Sequence, residues 1–122
     1  MRNTNTMPTE EQEHLALMDW IAYQPLLRDI AIHIPNEGKR SVYYGKKLKR
    51  LGLRKGVSDL FIPYPIYEYA GLWLEIKKIG GKLTTSQSEW LNKMRELGYV
   101  AEVGFGYQQC VKIIQDYMRG YL

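Results

Sequence analysis

The sequence predicts an α/β domain, a mixed central sheet of about four strands flanked by helices in the order α-β-α-β-β-α-β-α. Three observations predict it. Hydrophobic spacing switches between helical and strand repeats along the chain, and Gly and Pro signals separate the segments. The third is size: 122 residues, 45% of them hydrophobic, are enough for one packed core without staples. With no internal repeat, low-complexity tract or linker, residues 9–122 read as a single domain behind a flexible N-terminus over residues 1–8.

The first helix is expected over Thr9–Gln24. Thr9 is its N-cap, Glu10 and Glu11 suit the first turn, Leu17, Trp20 and Ile21 form the apolar stripe, and Pro25 stops it. Arg28–Ile34 alternates Ile30, Ile32 and Ile34 with Asp29, Ala31 and His33, a strand pattern. After the turn PNEGKR (35–40), Ser41–Leu51 reads as a very basic helix ending at Gly52. Val57–Ile62 is a short strand closed by Pro63, and Leu72–Lys78 a third, ended by Gly80-Gly81. A helix capped by Thr84 or Thr85 runs to Leu97 before Gly98. Tyr99–Val103 is the fourth strand, and Tyr107–Met118 the last helix, with Val111, Ile114 and Met118 at helical spacing.

Charge is unevenly spread under the net +4. Residues 1–38 carry two basic and six acidic side chains, residues 39–55 carry eight basic and none acidic, and the remainder balances. So basic a block fits a polyanion, either nucleic acid or an acidic membrane surface; a solvated helix face is the bland alternative. The polar opening MRNTNTMPTE has no secretory signal, and no apolar run is long enough to span a membrane. A single cysteine, Cys110, excludes an internal disulfide and thiolate-pair zinc sites. On the amphipathic last helix it reads as a core residue rather than a nucleophile.

Strand alternation puts Trp73, Glu75 and Lys77 on one face of LWLEIK, opposite Leu72, Leu74 and Ile76. Taken alone, Glu-x-Lys is usually a solvent-facing ion pair. Asp59 alters that reading, because an acid amid Val57, Leu60, Phe61 and Ile62 is costly unless paired or bound to a cation. Should the two strands be antiparallel neighbours, Asp59 meets Glu75, and two carboxylates with water form the hard-oxygen set that Mg²⁺ or Mn²⁺ prefers. Gly104-Phe105-Gly106 mimics part of a dinucleotide-binding fingerprint, but its third glycine position is Gln109.

An Asp on one strand followed by Glu-x-Lys on the next resembles the PD-(D/E)XK nuclease superfamily, and more narrowly the VRR-NUC (virus-type replication-repair nuclease) domain. The stretches that carry the resemblance are TEEQEHLALMDW (9–20), HIPNEGKR (33–40), LKRLGLRKGVSDLFIP (48–63), GLWLEIKK (71–78) and LTTSQSEWLNKMRELGY (83–99) with the strand after it. They run in order over nearly the whole chain. The resemblance implies a restriction-endonuclease-like core and a Mg²⁺- or Mn²⁺-dependent endodeoxyribonuclease that leaves 5′-phosphate and 3′-hydroxyl ends.

By that resemblance Asp59, Glu75 and the carbonyl of Ile76 hold the metal, while Lys77 positions the attacking water and offsets charge on the phosphate. Glu10 matches the outlying acid of the first helix, with Glu11 as the fallback for a one-residue shift, and Gln87 matches the glutamine placed near the lysine. His14 stands where family members often carry Gln, and is expected beside the site rather than as a ligand. The turn with His33 and Asn36 is read as a loop close to DNA. Arg40, Lys46, Lys47, Lys49, Arg50, Arg54 and Lys55 are the expected phosphate contacts, with Tyr43 and Tyr44 as possible stacking partners. Small stand-alone members look like homodimers that cut branched DNA such as four-way (Holliday) junctions in repair, which points to the cytoplasm of a bacterial or phage-infected cell. Two alternatives remain open: a non-catalytic nucleic-acid-binding module, and a metal-dependent hydrolase acting on RNA.

Overall fold

The computed structural model describes residues 6–35 and 42–121, without the side chains of Val42 and Tyr43. Its elements are α1 (Glu10–Ile21), α2 (Leu27–Ile30), β1 (Ile32–His33), α3 (Val42–Arg50), β2 (Leu60–Ile62), β3 (Leu72–Lys77), α4 (Thr85–Glu96), β4 (Val100–Phe105) and α5 (Tyr107–Arg119). One sheet has the order β1-β2-β3-β4. The first two pairings are antiparallel and β3 pairs with β4 in parallel, α4 forming the crossover. The expected mixed α/β sheet with flanking helices is what forms.

Two layers of helix cover the sheet. Leu72, Leu74 and Ile76 of β3 pack with Leu60 and Ile62 of β2 against Leu17 and Ile21 of α1 and Cys110, Ile114 and Tyr117 of α5. On the opposite face Trp73 and Ala101 meet Leu91 and Met94 of α4. Burial on both faces makes β3 the centre of the domain, so its polar residues Glu75 and Lys77 lie in the interior rather than in a solvated ion pair.

Local chemistry sets most of the boundaries. Thr9 and Gln12 form a reciprocal capping box at the start of α1, and Thr84 and Gln87 form another at α4. Each offsets orphan N–H groups of a first helical turn. Gly104 lies so close to Cys110 that a Cβ there would collide with the sulfur, which accounts for a glycine in the Gly-Phe-Gly run without any nucleotide.

Two expected strands are shorter than their patterns. In place of a strand over Arg28–Ile34, a helical turn buries Leu27, and β1 is only Ile32–His33. The alternating isoleucines misled because Ile32 is exposed. The strand expected from Val57 starts at Leu60, since Asp59 bends away to bond with β3. The basic helix spans Val42–Arg50, close to expectation; Asn36 and Arg40 lie outside the described residues.

Cys110 is fully buried, and burial raises its thiol pKa to about 12, with the charges of Glu13 and Asp59 adding to the shift. Native protein is therefore expected to resist a thiol reagent at mildly alkaline pH, whereas unfolded protein labels fully. Fast labelling of the native chain would contradict this packing.

Candidate active site

The site forms where β2 has not yet begun and β3 still runs. Leu60 pairs with Leu74, so one further step of the antiparallel register sets Asp59 against Glu75. Asp59 Oδ2 accepts the Ile76 N–H at 2.9 Å, taking the place of a ladder partner. In a strand the N–H and C=O of one residue point to the same edge, so the Ile76 carbonyl faces the Asp59 side as well. The main-chain carbonyl of Asp59 accepts the Ile34 N–H at 2.8 Å and His33 Nδ1–H at 2.9 Å.

Glu75 is 1% exposed. Its Oε2 accepts from Gln87 Nε2 at 3.0 Å, and its Oε1 finds no hydrogen-bond donor among the described residues. Gln87 is held by the capping box: its Oε1 accepts the Thr84 N–H at 2.9 Å, which leaves its amino group free to reach Glu75. A Thr-x-x-Gln pattern before a helical stripe is thus the local signal for this residue.

Lys77, one alternation further along β3, is 8% exposed, and its Nζ lies 3.8 Å from Glu10 Oε2 in the first turn of α1. Of the two α1 acids weighed from sequence, Glu10 is the one that makes this contact. Glu10, Asp59, Glu75 and Gln87 line a cavity of about 280 Å³ with Lys55, Gly56, Thr84 and Ser86. Gly56 has φ +87° and passes so near the Ser86 carbonyl that a side chain would collide with it. Lys55 is brought to the rim by that passage.

Burial, followed by the charge of Asp59, raises the Glu75 pKa to about 9; the positive charge of Lys77 opposes the shift. The pair therefore needs either a shared proton or a cation. Hard oxygen donors and an orphan buried Oε1 fit a divalent ion. Among the described residues no three His, Cys, Asp or Glu side chains form a complete ligand set, so such an ion would rely on the Ile76 carbonyl and on water. Beside the pair, burial and the charge of His33 lower the His14 pKa, against the pull of Asp59, Glu10 and Glu11.

The other expected site residues lie apart from these acids. Lys46, Lys47 and Arg50 of α3 line a separate cavity with Leu51, and Lys49 is exposed on the same helix. Arg54 joins Lys55, Ser86, Glu89, Trp90 and Lys93 around a hollow that shares Lys55 and Ser86 with the acidic one. Lys93, Trp90 and Ser86 were not singled out from sequence, because on a helix they read as ordinary surface residues. Glu13, also missed, is 7% exposed and caps α5 by accepting the Tyr107 N–H at 2.9 Å; among the first-turn acids of α1 nothing local marks it.

The fold matches a solved one. The chain matches a structure described as a "VRR_NUC domain protein" with a TM-score of 0.82 and 31% identity, over 93% of this chain and 91% of that one. The chain belongs to the VRR-NUC family. No family sequence model and no curated protein matches it. As a VRR-NUC domain it is a nuclease-type domain.

Without metal, the strained carboxylate pair should weaken the VRR-NUC fold. Glu75 binds its proton more tightly folded than unfolded, so its stabilising contribution is complete below the unfolded pKa of 4.5 and is lost as pH rises through about 9. In chelator, Glu75→Gln is expected to raise the Tm at pH 8, by about 4 °C for each kcal/mol relieved. That gain should shrink toward pH 5. A Tm gain that does not depend on pH would contradict the assignment.

Proposed function

We propose that this VRR-NUC domain is a divalent-metal-dependent endonuclease that hydrolyses DNA phosphodiester bonds. The observation that carries the reading is the half-buried Asp59 set against the buried Glu75, whose Oε1 has no hydrogen-bond partner among the described residues and which feels the positive charge of Lys77. Asp59, Glu75 and the Ile76 carbonyl would hold Mg²⁺ or Mn²⁺. When bound, such an ion lowers the pKa of water and stabilises charge on phosphate.

The chain's own residues supply the rest. Lys77 orients the water for in-line attack and stabilises the phosphate charge as it grows. Glu10 keeps the Lys77 ammonium near the cavity. Gln87 fixes one oxygen of Glu75, so that the other faces the reacting centre.

A nucleic acid is the favoured substrate class because cations lie at the acids, in the adjoining hollow and, separately, on α3. Lys55 lies at the acidic cavity, Arg54 and Lys93 in the adjoining hollow, and Lys46, Lys47 and Arg50 on α3. Contacts of this kind hold phosphate without reading bases, which favours recognition by shape, as in four-way or otherwise branched DNA. A homodimer would bring two such sites to one junction for paired nicks.

The test is cleavage of end-labelled linear, flapped and four-way-junction DNA, and of matched RNA, with Mg²⁺, Mn²⁺ or chelator. Metal-dependent cutting of DNA is expected, strongest on branched substrates. Glu75→Ala and Lys77→Ala should lower kcat by about 10²–10³-fold or more. Arg54→Ala should instead weaken binding and reduce the slope of log affinity against log salt by about 1. Cutting that survives chelator or Glu75→Ala would overturn the mechanism. Salt-sensitive DNA binding with no cutting would favour a binding module, and preferential cutting of RNA would change the substrate.

A further inference from the structure

We infer that His33 is a positioning residue for Asp59, acting through the main-chain carbonyl rather than through the carboxylate. The inference rests on the reading of Asp59 as a metal ligand. Asp59 is held at both ends. Its carboxylate accepts the Ile76 N–H at 2.9 Å, and its carbonyl accepts two donors, His33 Nδ1–H of β1 at 2.9 Å and the N–H of Ile34, the residue after β1, at 2.8 Å.

A carbonyl only accepts, so Nδ1 carries the proton and the tautomer of the neutral ring is fixed. The strand that provides this clamp is two residues long and has only the register pairs Ile32–Phe61 and His33–Leu60. So short a ladder fixes little by itself. The imidazole adds a bond at the residue where β2 has not yet begun.

The ring is braced from the other side. His14 meets it edge-on, with centroids 4.6 Å apart and planes at 79°. His14 lies one turn after Glu10 on α1, the helix whose first turn reaches Lys77. His33 therefore sits between α1 and the loop that carries Asp59. Its bond orients the Asp59–Leu60 peptide plane, and through it the direction in which the carboxylate leaves the backbone. A metal ligand must be held to within a fraction of an ångström, and losing an outer partner commonly costs 10–100-fold in metal affinity.

Calorimetric titration of the full chain with Mn²⁺ tests this, using wild type, His33→Ala, His33→Asn and His33→Gln, each below its own Tm. Asparagine places an amide N–H where the imidazole Nδ1–H stands, and glutamine places it one carbon further out. Because the native bond is exposed to solvent, His33→Ala and His33→Gln should weaken Mn²⁺ binding by about tenfold, the low end of that range. His33→Asn should stay near wild type. A purely structural role would lower the Tm without separating the variants in Mn²⁺ affinity. Wild-type affinity in His33→Ala, or equal loss in His33→Asn and His33→Ala, would overturn the inference while leaving the metal reading intact. Absence of Mn²⁺ binding by wild type would overturn both.

Discussion

The close approach of the half-buried Asp59 to the buried Glu75 is the constraint around which the rest is arranged. Two carboxylates cannot both be ionised there without compensation, and burial raises the Glu75 pKa to about 9. The surrounding structure supplies partial compensation from three directions. Gln87 donates to one Glu75 oxygen, the Ile76 N–H donates to Asp59, and Lys77 adds positive charge. What stays unsatisfied among the described residues, Glu75 Oε1, is the atom that faces the need for a proton or a cation. A fold selected for stability alone would not keep such a pair at the centre of its sheet.

Much of this was legible in the sequence, and the reasons differ by residue. Glu75 and Lys77 could be placed on one face because strand alternation is strict, and Asp59 stood out because an acid among apolar residues needs a partner. Thr9 as one cap and Thr84 or Thr85 as the other followed from helix-start chemistry, while Glu10 and Gln87 were candidates through family resemblance. By contrast, Arg28–Ile34 looked like a strand because three isoleucines alternate, yet burial of Leu27 in the core selected a helical turn. Likewise Asp59 itself shortened β2, since its side chain captured the backbone bond that would have extended the ladder. Both misses are tertiary contacts that no local pattern records.

The same frame bears on assembly. β4 is an edge strand of the sheet, and its outward groups are already engaged at two points. Arg95 Nε donates to the Ala101 carbonyl at 2.9 Å, and the Phe105 N–H donates to Gln109 Oε1 at 2.8 Å. Side chains from α4 and α5 thus blunt the edge against pairing with another chain. Extension of this sheet is therefore a poor route for one copy of the chain to pair with another.

On the proposed metal-dependent reading, Glu75 holds a proton that a divalent cation replaces. Carboxyl ¹³C NMR of Glu-labelled protein, followed against pH in chelator and then in saturating Mg²⁺, tests it most directly. The resonance absent from Glu75→Gln should titrate near pH 9 in chelator and be ionised at pH 7 with Mg²⁺. Titration near the ordinary 4.5, unchanged by Mg²⁺, would contradict the account.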